Sequence, residues 1–323
     1  MASVVLTGVT GFIGRRLAET LMDRGYKVHT LIRHASARDL NNLKDVLSKA
    51  VLLTADLNDY HSVKNAIRSA NPDYVCHLGA LTPVRYSFEH PFENEETNYR
   101  GTMNVVHALL ETSDFKSRRL IAASTAEVYG WQGKNIPFIE DLPLNPASPY
   151  AVSKAAADMY IRMAGEVYGL NYTVLRPSNS YGRVSEAGFI VEYLITTMLK
   201  GAKVYVGTPD SIRDYMYVDD HVNAYVRAIE DEKASRRVFN VSTGVPTSTK
   251  ELAEKIAGFI GYSKPIAFGS YPPGYPQRPT FSDPPYLVLN SGKIQRELKW
   301  KPTKNLDQGL QAVIKEWKGK LAK

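Results

Sequence analysis

Cysteine is nearly absent. Cys76 stands alone among 323 residues, so no disulfide can form within the chain, a cysteine-rich metal site is excluded, and a reducing cytoplasm is the expected setting. No metal site is expected from the other residues. Long apolar runs are also missing: none reaches the roughly 18 residues that a membrane span needs. The N-terminus has no basic region followed by an apolar stretch and a small-residue cleavage site. It passes directly into Ser3-Val4-Val5-Leu6-Thr7, so no signal peptide is expected. Internal repeats and low-complexity tails are not visible. Charge of one sign is not concentrated either. The net charge is +7, yet basic and acidic residues are interspersed, and the tight Lys116, Arg118, Arg119 cluster reads as a solvated face. Attraction of small anions is the expected benefit of the surplus, and a nucleic-acid partner is not expected.

The rest of the composition is that of a globular protein, 44% hydrophobic and 23% charged. The length suits one large α/β unit with a second lobe.

One short stretch carries chemistry. Tyr150 and Lys154 in Tyr150-Ala151-Val152-Ser153-Lys154 share one face of a helix. A free tyrosine, with a pKa of about 10, is a poor base near neutrality. A neighbouring cation favours the phenolate, so Tyr150 is placed to exchange protons with a sugar or alcohol hydroxyl. Tyr-x-x-x-Lys also recurs by chance, as a tyrosine on the buried edge of a helix, so the surrounding pattern has to carry the argument.

That pattern begins at the N-terminus. The strand Ser3 to Thr7 is followed by Gly8-Val9-Thr10-Gly11-Phe12-Ile13-Gly14, a helix from Arg15 to Arg24 with Gly25 as C-cap, and a strand from Lys27 to Ile32. Glycines at this spacing let the backbone turn, approach a pyrophosphate closely and present free N–H groups at the helix start. An acid at the end of the second strand would hold the ribose 2′-hydroxyl of NAD. Arg33 stands there instead, which favours the 2′-phosphate of NADP, with NAD as the alternative; a solvent-exposed loop arginine is the plainer explanation.

Val51 to Thr54 is a third strand. Asp56, just past it and followed by Leu57, is placed either to accept from the adenine amino group or to cap the helix starting near Tyr60. Asp73 to His77 is a fourth strand, ending in Leu78-Gly79-Ala80, where small residues let the backbone pass beside a cofactor. Asn98 to Leu110 reads as a helix. Leu120 to Ala123 is a fifth strand, leading into Ser124-Thr125-Ala126-Glu127-Val128-Tyr129-Gly130, with hydroxyls and a carboxylate at a strand's carboxyl end. Pro143, Pro146 and Pro149 keep the approach to Tyr150 non-helical. Asn171 to Leu175 is a sixth strand, leading into Arg176-Pro177-Ser178-Asn179-Ser180-Tyr181-Gly182. A second lobe begins after about residue 178 and is not a separate linear domain. Helices follow at Phe189 to Lys200, at Val218 to Glu230, which returns to the first lobe, and at Lys250 to Phe259, with a strand at Val238 to Val241.

In order along the chain, Thr7-Gly8-Val9-Thr10-Gly11-Phe12-Ile13-Gly14, Asp56-Leu57, Ser124-Thr125-x-Glu127-x-Tyr129-Gly130, Tyr150-x-x-x-Lys154, Arg176-Pro177-x-Asn179-x-Tyr181-Gly182, Arg213-Asp214-Tyr215, Val218-Asp219-Asp220 and Lys299-Trp300-Lys301-Pro302 resemble the extended short-chain dehydrogenase/reductases, in the NAD(P)-dependent nucleotide-sugar epimerase/dehydratase group. The cofactor half looks most like GDP-mannose 4,6-dehydratases, and the substrate half is closer to general epimerases. The resemblance implies an α/β fold: a Rossmann-type doubly wound parallel sheet over residues 1–178, with a return segment near 212–240, and a smaller C-terminal α/β lobe over 179–323 that binds the nucleoside diphosphate of the sugar. It implies cofactor contacts from Gly8, Thr10, Gly11, Phe12, Ile13, Gly14, Arg33, Asp56, Leu57, Leu78, Ala80, Tyr150, Lys154 and Pro177, and substrate contacts from Thr125, Asn179, Arg213 and Arg278. Physically, a diphosphate wants arginines. Arg278 lies in a proline-rich loop, and where relatives often carry an acid two residues later this chain has Thr280. Family members commonly dimerise through helices that include the tyrosine helix, so a homodimer is expected.

The reaction implied begins with oxidation of the sugar C4 hydroxyl. Tyr150 is the base, Lys154 lowers its pKa and binds the nicotinamide ribose, and Thr125 with Ser124 hydrogen-bonds the reacting oxygen. A 4,6-dehydratase then needs a carboxylate near the threonine. Glu127 stands two residues on, and alternate residues of an extended segment share a face. A 4-epimerase needs no such base. Dehydratase is the first expectation and epimerase the alternative, with a 4-keto reductase or a decarboxylase behind them. A non-catalytic NADP sensor on the same fold is a further alternative, against which the complete Ser/Thr, Tyr, Lys set argues.

Overall fold

The structure is a computed structural model describing residues 1–33, 46, 48–133, 136–184, 187–275 and 279–322. Its centre is a seven-stranded sheet built from β1 (Ser3–Thr7), β2 (Lys27–Ile32), β3 (Val51–Thr54), β4 (Tyr74–His77), β5 (Arg119–Ala123), β6 (Asn171–Pro177) and β7 (Arg237–Val241). The strand order is β7-β6-β5-β4-β1-β2-β3, and every pairing is parallel. Helices cover both faces, so the central strands are continuous apolar runs; Val4, Val5 and Leu6 have no exposure. The order reverses direction between β1 and β4, which opens a crevice at the carboxyl ends of those strands. This is the doubly wound α/β sheet expected from the sequence. The second lobe is built of short pieces. Asn179–Tyr181 pairs with Tyr215–Tyr217, Val204–Val206 pairs with Ile266–Phe268, and Ile212–Arg213 lies between Thr247–Ser248 and Tyr286–Leu287.

Helix α1 (Phe12–Asp23) begins earlier than Arg15 because the glycine turn is itself the cap, with Gly11 at the N-cap position. It ends as expected: Gly25 takes a φ of +82°, and the N–H groups of Gly25 and Tyr26 donate to Met22 O and Leu21 O at 2.9 and 3.0 Å. Helix α2 (Tyr60–Ala70) is capped by Asp59, whose side chain accepts from the His61 N–H, and not by Asp56. Asp56 accepts instead from the Asn58 N–H at 3.0 Å, closing a local turn.

The helix expected from Asn98 is interrupted. A π-helical turn at Glu96–Arg100 precedes α3 (Gly101–Leu110), and short helices at Val84–Glu89 and Pro91–Glu95 come before it. Asn98 explains the irregular turn. Its buried amide accepts from Leu81 N–H at 2.7 Å and donates to Leu81 O and Ser153 Oγ at 3.0 Å each, so it faces a loop and another helix at once.

The basic cluster at the start of β5 is a solvated face only at Lys116, which is exposed. Arg118 and Arg119 are 5% and 1% exposed. Arg118 donates to Pro72 O, Asn71 Oδ1 and Asp114, and Arg119 to Ala228 O, Asp231 O and Glu232. These charges serve backbone carbonyls and the more exposed carboxylates of Asp114 and Glu232, since buried cations require partners.

Helix α4 (Pro149–Tyr168) starts with Ser148 as N-cap, accepting from the Ala151 N–H at 3.1 Å, and with Pro149 in the first turn. It is fixed to the sheet by a buried ion pair. Arg176 of β6 donates to both oxygens of Asp158 at 2.8 and 3.1 Å, to the Tyr129 hydroxyl at 2.8 Å and to Glu140 O at 3.0 Å. Replacing Asp158 with alanine leaves a buried guanidinium without its carboxylate. Unfolding free energy should fall by about 3–5 kcal/mol, read from urea midpoints. A fall under about 1 kcal/mol, the scale of a surface pair, would show that the pair does not hold the helix.

Candidate active site

The carboxyl ends of β4, β5 and β6 open into a cavity of about 230 Å³. Tyr150 and Lys154 reach its wall from α4 and are 7% and 4% exposed. Helical spacing puts both on the face that packs towards the sheet. Ser124, Thr125 and Glu127 reach the same cavity from the segment after β5. That segment is not extended. Ala126–Tyr129 is a 3-10 turn, Thr125 is its N-cap, and the Thr125 hydroxyl oxygen accepts from the Glu127 N–H at 3.2 Å. Thr125 and Glu127 therefore share the cavity because of a tight turn, not because of strand alternation.

Burial governs the electrostatics. It pushes the Tyr150 phenol up to about 12; a hydrogen bond with Thr125 acts in the opposite direction, and the Glu127 charge raises the phenol further. Burial lowers Lys154 to about 8, while Asp158 one turn on favours its charged form. Lys154 is not what moves the phenol in this arrangement: the group that favours the phenolate is Thr125. The Ser124 hydroxyl is buried without a partner among the described residues.

The glycine turn lies at one side of the crevice. A methyl group on Gly14 would stand 2.1 Å from Gly8 O, and one on Gly8, at φ +79°, would stand 2.7 Å from Gly79 N. Side chains are excluded here by close packing of α1, β1 and the loop after β4. The first turn of α1 has no side-chain cap and no acidic residue; the Gly11 N–H is taken by Gly8 O at 3.0 Å, and the helix start at Phe12 and Ile13, with its dipole, fits a diphosphate. Thr7 and His77 brace this turn. The Thr7 hydroxyl oxygen accepts from Leu78 and Gly79 N–H at 3.1 and 2.9 Å and bonds His77 Nδ1 at 2.8 Å, while His77 Nε2 bonds Thr102 at 3.0 Å. Burial holds His77 neutral, at about 3.

Ile13, Leu78, Ala80 and Pro177 line the cavity with Tyr150 and Lys154. Arg33 and Asp56 are exposed immediately after β2 and β3, and Leu57 packs near Gly79. The predicted cofactor residues thus run along the carboxyl edge from β3 to β6.

The predicted substrate residues divide. Thr125 and Asn179 line the cavity. Arg213 is 7% exposed and is not on the cavity wall; its guanidinium bonds Asp283 at 2.6 Å and Ile212 O at 2.8 Å. Arg278 lies outside the described residues. Sequence reasoning missed several wall residues: Thr82, Val84, Arg183, Phe189, Glu192, Tyr215, His221 and Tyr225. Tyr215 and His221 were within reach, since Tyr215 ends the noted Arg213-Asp214-Tyr215 motif and His221 follows Val218-Asp219-Asp220. The others carry no local signal. Among the described residues no group of three or more His, Cys, Asp or Glu could hold a metal ion, and no helix is long and apolar enough to cross a membrane.

Comparison with known proteins gives the same architecture. The chain is 31% identical over 323 residues to a UDP-glucose 4-epimerase of Mycolicibacterium smegmatis, covering 98% of each chain. It is 30% identical over 332 residues to a probable dTDP-glucose 4,6-dehydratase of Sinorhizobium fredii, covering 97% of this chain and 92% of that one. Among solved structures, the UDP-glucose 4-epimerase of Thermotoga maritima with UDP-glucose superposes with a TM-score of 0.87 at 28% identity, covering 99% of both chains. The UDP-glucose 4-epimerase of Thermus thermophilus in complex with NAD superposes with a TM-score of 0.85 at 28% identity, covering 98% of this chain and 99% of that one. The GDP-mannose 4,6 dehydratase family matches from residue 5 to residue 313, and the chain belongs to that family.

Proposed function

We propose that the protein is an NAD(P)-dependent enzyme that modifies a nucleotide sugar through a 4-keto intermediate, acting first of all as a nucleotide-hexose 4,6-dehydratase. The observation that carries this reading is the meeting of Tyr150, Lys154, Thr125 and Glu127 on one cavity wall, beside a glycine turn that fits a diphosphate. A bound nicotinamide supplies the acceptor, and later the donor, of the hydride. Tyr150 takes the proton of the sugar C4 hydroxyl, Thr125 holds the reacting oxygen and favours the phenolate, and Lys154 binds the nicotinamide ribose. Glu127 then removes the C5 proton as water leaves C6. The names of the relatives support both a dehydratase and a 4-epimerase. In the second reading Glu127 is a bystander.

Arg33, exposed after β2, is the residue that a 2′-phosphate would meet and supports NADP, whereas the Thermus thermophilus relative holds NAD. The nucleoside is left as that of a nucleoside diphosphate sugar. The buried, solitary Cys76 supports a reducing cytoplasm. A homodimer through α4 is supported by Val152, Met159 and Val167, which are 53%, 55% and 65% exposed, and by Phe92, 79% exposed on the adjoining Pro91–Glu95 helix.

Mass and NMR analysis of products from a panel of nucleotide sugars tests the reaction. Wild-type protein should yield a product lighter by the mass of water. Glu127→Gln should stall at a 4-keto sugar that retains its C6 hydroxyl, and Tyr150→Phe should cut turnover by about 10²–10⁴. An unchanged mass with an altered sugar, insensitive to Glu127→Gln, assigns the epimerase instead.

The Lys154 shift gives a pH signature. Folded Lys154 gives up its proton near 8, and the unfolded chain does so near about 10.4. Between these values the unfolded state binds more protons, so this group makes stability rise with pH, by on the order of 3 kcal/mol across the window. The folded Tyr150 keeps its proton to about 12, so above about 10 stability falls on its account. Urea midpoints from pH 8 to 10 should climb more steeply in wild type than in Lys154→Met; parallel curves would refute the assignment.

Met159→Glu places a charge on the exposed α4 stripe. Sedimentation velocity should show dimer for wild type and monomer for the variant; a wild-type monomer removes the dimer proposal.

A further inference from the structure

Arg278 lies outside the described residues, and the other arginine expected to bind a diphosphate, Arg213, is paired with Asp283 and does not reach the cavity. Another arginine does. Arg183 follows the Asn179–Tyr181 strand and lines the same cavity as Ile13 and Tyr150. Its guanidinium lies 4.7 Å from the ring centroid of Phe12 and 3.7 Å from that of Phe189. Phe12 opens α1 at the end of the glycine turn, and Phe189 is the N-cap residue of the Ile190–Leu199 helix in the second lobe. Arg183 therefore sits between the ring of Phe12, which opens the helix after the glycine turn, and that of Phe189, which stands at the N-cap of a helix of the second lobe.

The placement is rigid. The Arg183 side chain is 13% exposed and donates through one amino group to Ser180 O at 2.8 Å. Its backbone N–H and that of Gly182 both donate to Glu192 Oε1 at 2.9 Å. Ring faces hold a guanidinium without consuming its N–H donors, and its planar fork matches phosphate oxygens. Among the described wall residues, Lys154 and Arg183 are the two lysine or arginine side chains. Lys154 belongs to the tyrosine end of the cavity. The neighbouring His221 adds no charge, because burial and Arg183 itself keep it neutral, at about 3. Glu192 Oε2 lies 3.7 Å from Arg183, and burial raises this carboxyl towards its neutral form.

We propose that Arg183 binds a diphosphate, that of the dinucleotide, completing from the second lobe the anion site that the N-terminus of α1 begins. The inference rests on the dinucleotide reading given above. The diphosphate of a sugar nucleotide offers the same chemistry, but the contact with the ring of Phe12, the first residue of α1, favours the dinucleotide.

Isothermal titration of the full chain distinguishes the sources. In Arg183→Gln, NAD and ADP-ribose, which both carry a pyrophosphate, should bind about tenfold more weakly, while adenosine, which carries none, binds as to wild type. Wild-type binding of NAD with no change in Arg183→Gln overturns the Arg183 assignment alone. A loss confined to UDP-glucose also overturns it, by giving Arg183 to the sugar nucleotide. Failure of wild type to bind either NAD or NADP overturns both this inference and the dinucleotide reading. Should Arg183→Gln not fold, Glu192→Gln keeps the Oε1 acceptor and removes the competing carboxylate. NAD should then bind several-fold more tightly, and unchanged or weaker binding overturns the proposal.

Discussion

The ion pair between Arg176 and Asp158 is the constraint from which the site follows. Both residues are 1% exposed. Two charges at that depth are tolerated only with good geometry and with every donor satisfied. The geometry is good and each guanidinium nitrogen is bonded: the guanidinium reaches both Asp158 oxygens, the Tyr129 hydroxyl and Glu140 O. The Tyr129 hydroxyl donates to Asn240 Oδ1 at 2.8 Å, and Asn240 donates to Phe138 O at 2.8 Å. A single network thus joins α4, β6, β7 and the segment after β5. Burial of this kind contributes little net stability over an apolar core, but it admits one register of the helix on the sheet. That register presents Tyr150 and Lys154 to the cavity. Asp158 also lies one helical turn from Lys154 and favours its charge, so the structural pair reaches the chemistry as well.

At the tyrosine, two physical effects compete and burial is the stronger. Reading Tyr150 and Lys154 as a phenol beside an ammonium predicts a phenol made more acidic. The folded chain does the reverse, because removing both groups from water disfavours both charged forms. The folded chain therefore keeps the phenol neutral and holds a lysine that keeps its proton only up to a pH near 8. Glu127 adds to the penalty on the phenolate, and Thr125 reduces it. A positive charge brought in by a ligand would act in the same direction as Thr125.

The sheet was legible in the sequence because parallel strands buried on both faces are apolar runs bounded by glycine and polar residues. β1, β2 and β3 run as expected, and β4 to β7 differ by a residue or two at their ends. The glycine turn and the Tyr150 helix were legible for a similar reason: their signals are local. What was not legible depends on partners distant in sequence. Asp56 and Asp59 are equally plausible caps until the chain turns, and Asp59 is the one that caps. Asn98 bends its helix because Leu81 and Ser153 are near in space. Arg118 and Arg119 are internal because carbonyls at Pro72, Ala228 and Asp231 await them. Arg213 carries the right charge for a diphosphate, but Asp283, seventy positions away, takes its guanidinium.

The acids of the second-lobe motifs serve the scaffold. Asp214 accepts from the Thr243 N–H and hydroxyl and from the Gly244 N–H at 3.1, 2.7 and 2.7 Å. Asp220 accepts from the Thr303 N–H and hydroxyl at 2.8 and 2.6 Å, and its carbonyl accepts from Trp300 Nε1 at 3.0 Å. With their lone pairs so engaged, these carboxylates hold loops and the C-terminal segment in place. Discrimination between ligands then falls to groups whose bonds are not already made. Ser124 Oγ, His221 Nε2 and the Tyr225 hydroxyl are buried on the cavity wall without partners among the described residues. Each such atom costs about 1–3 kcal/mol unless something polar reaches it, so the wall favours a ligand whose hydroxyl or amide groups meet these three over one of equal size that leaves them bare.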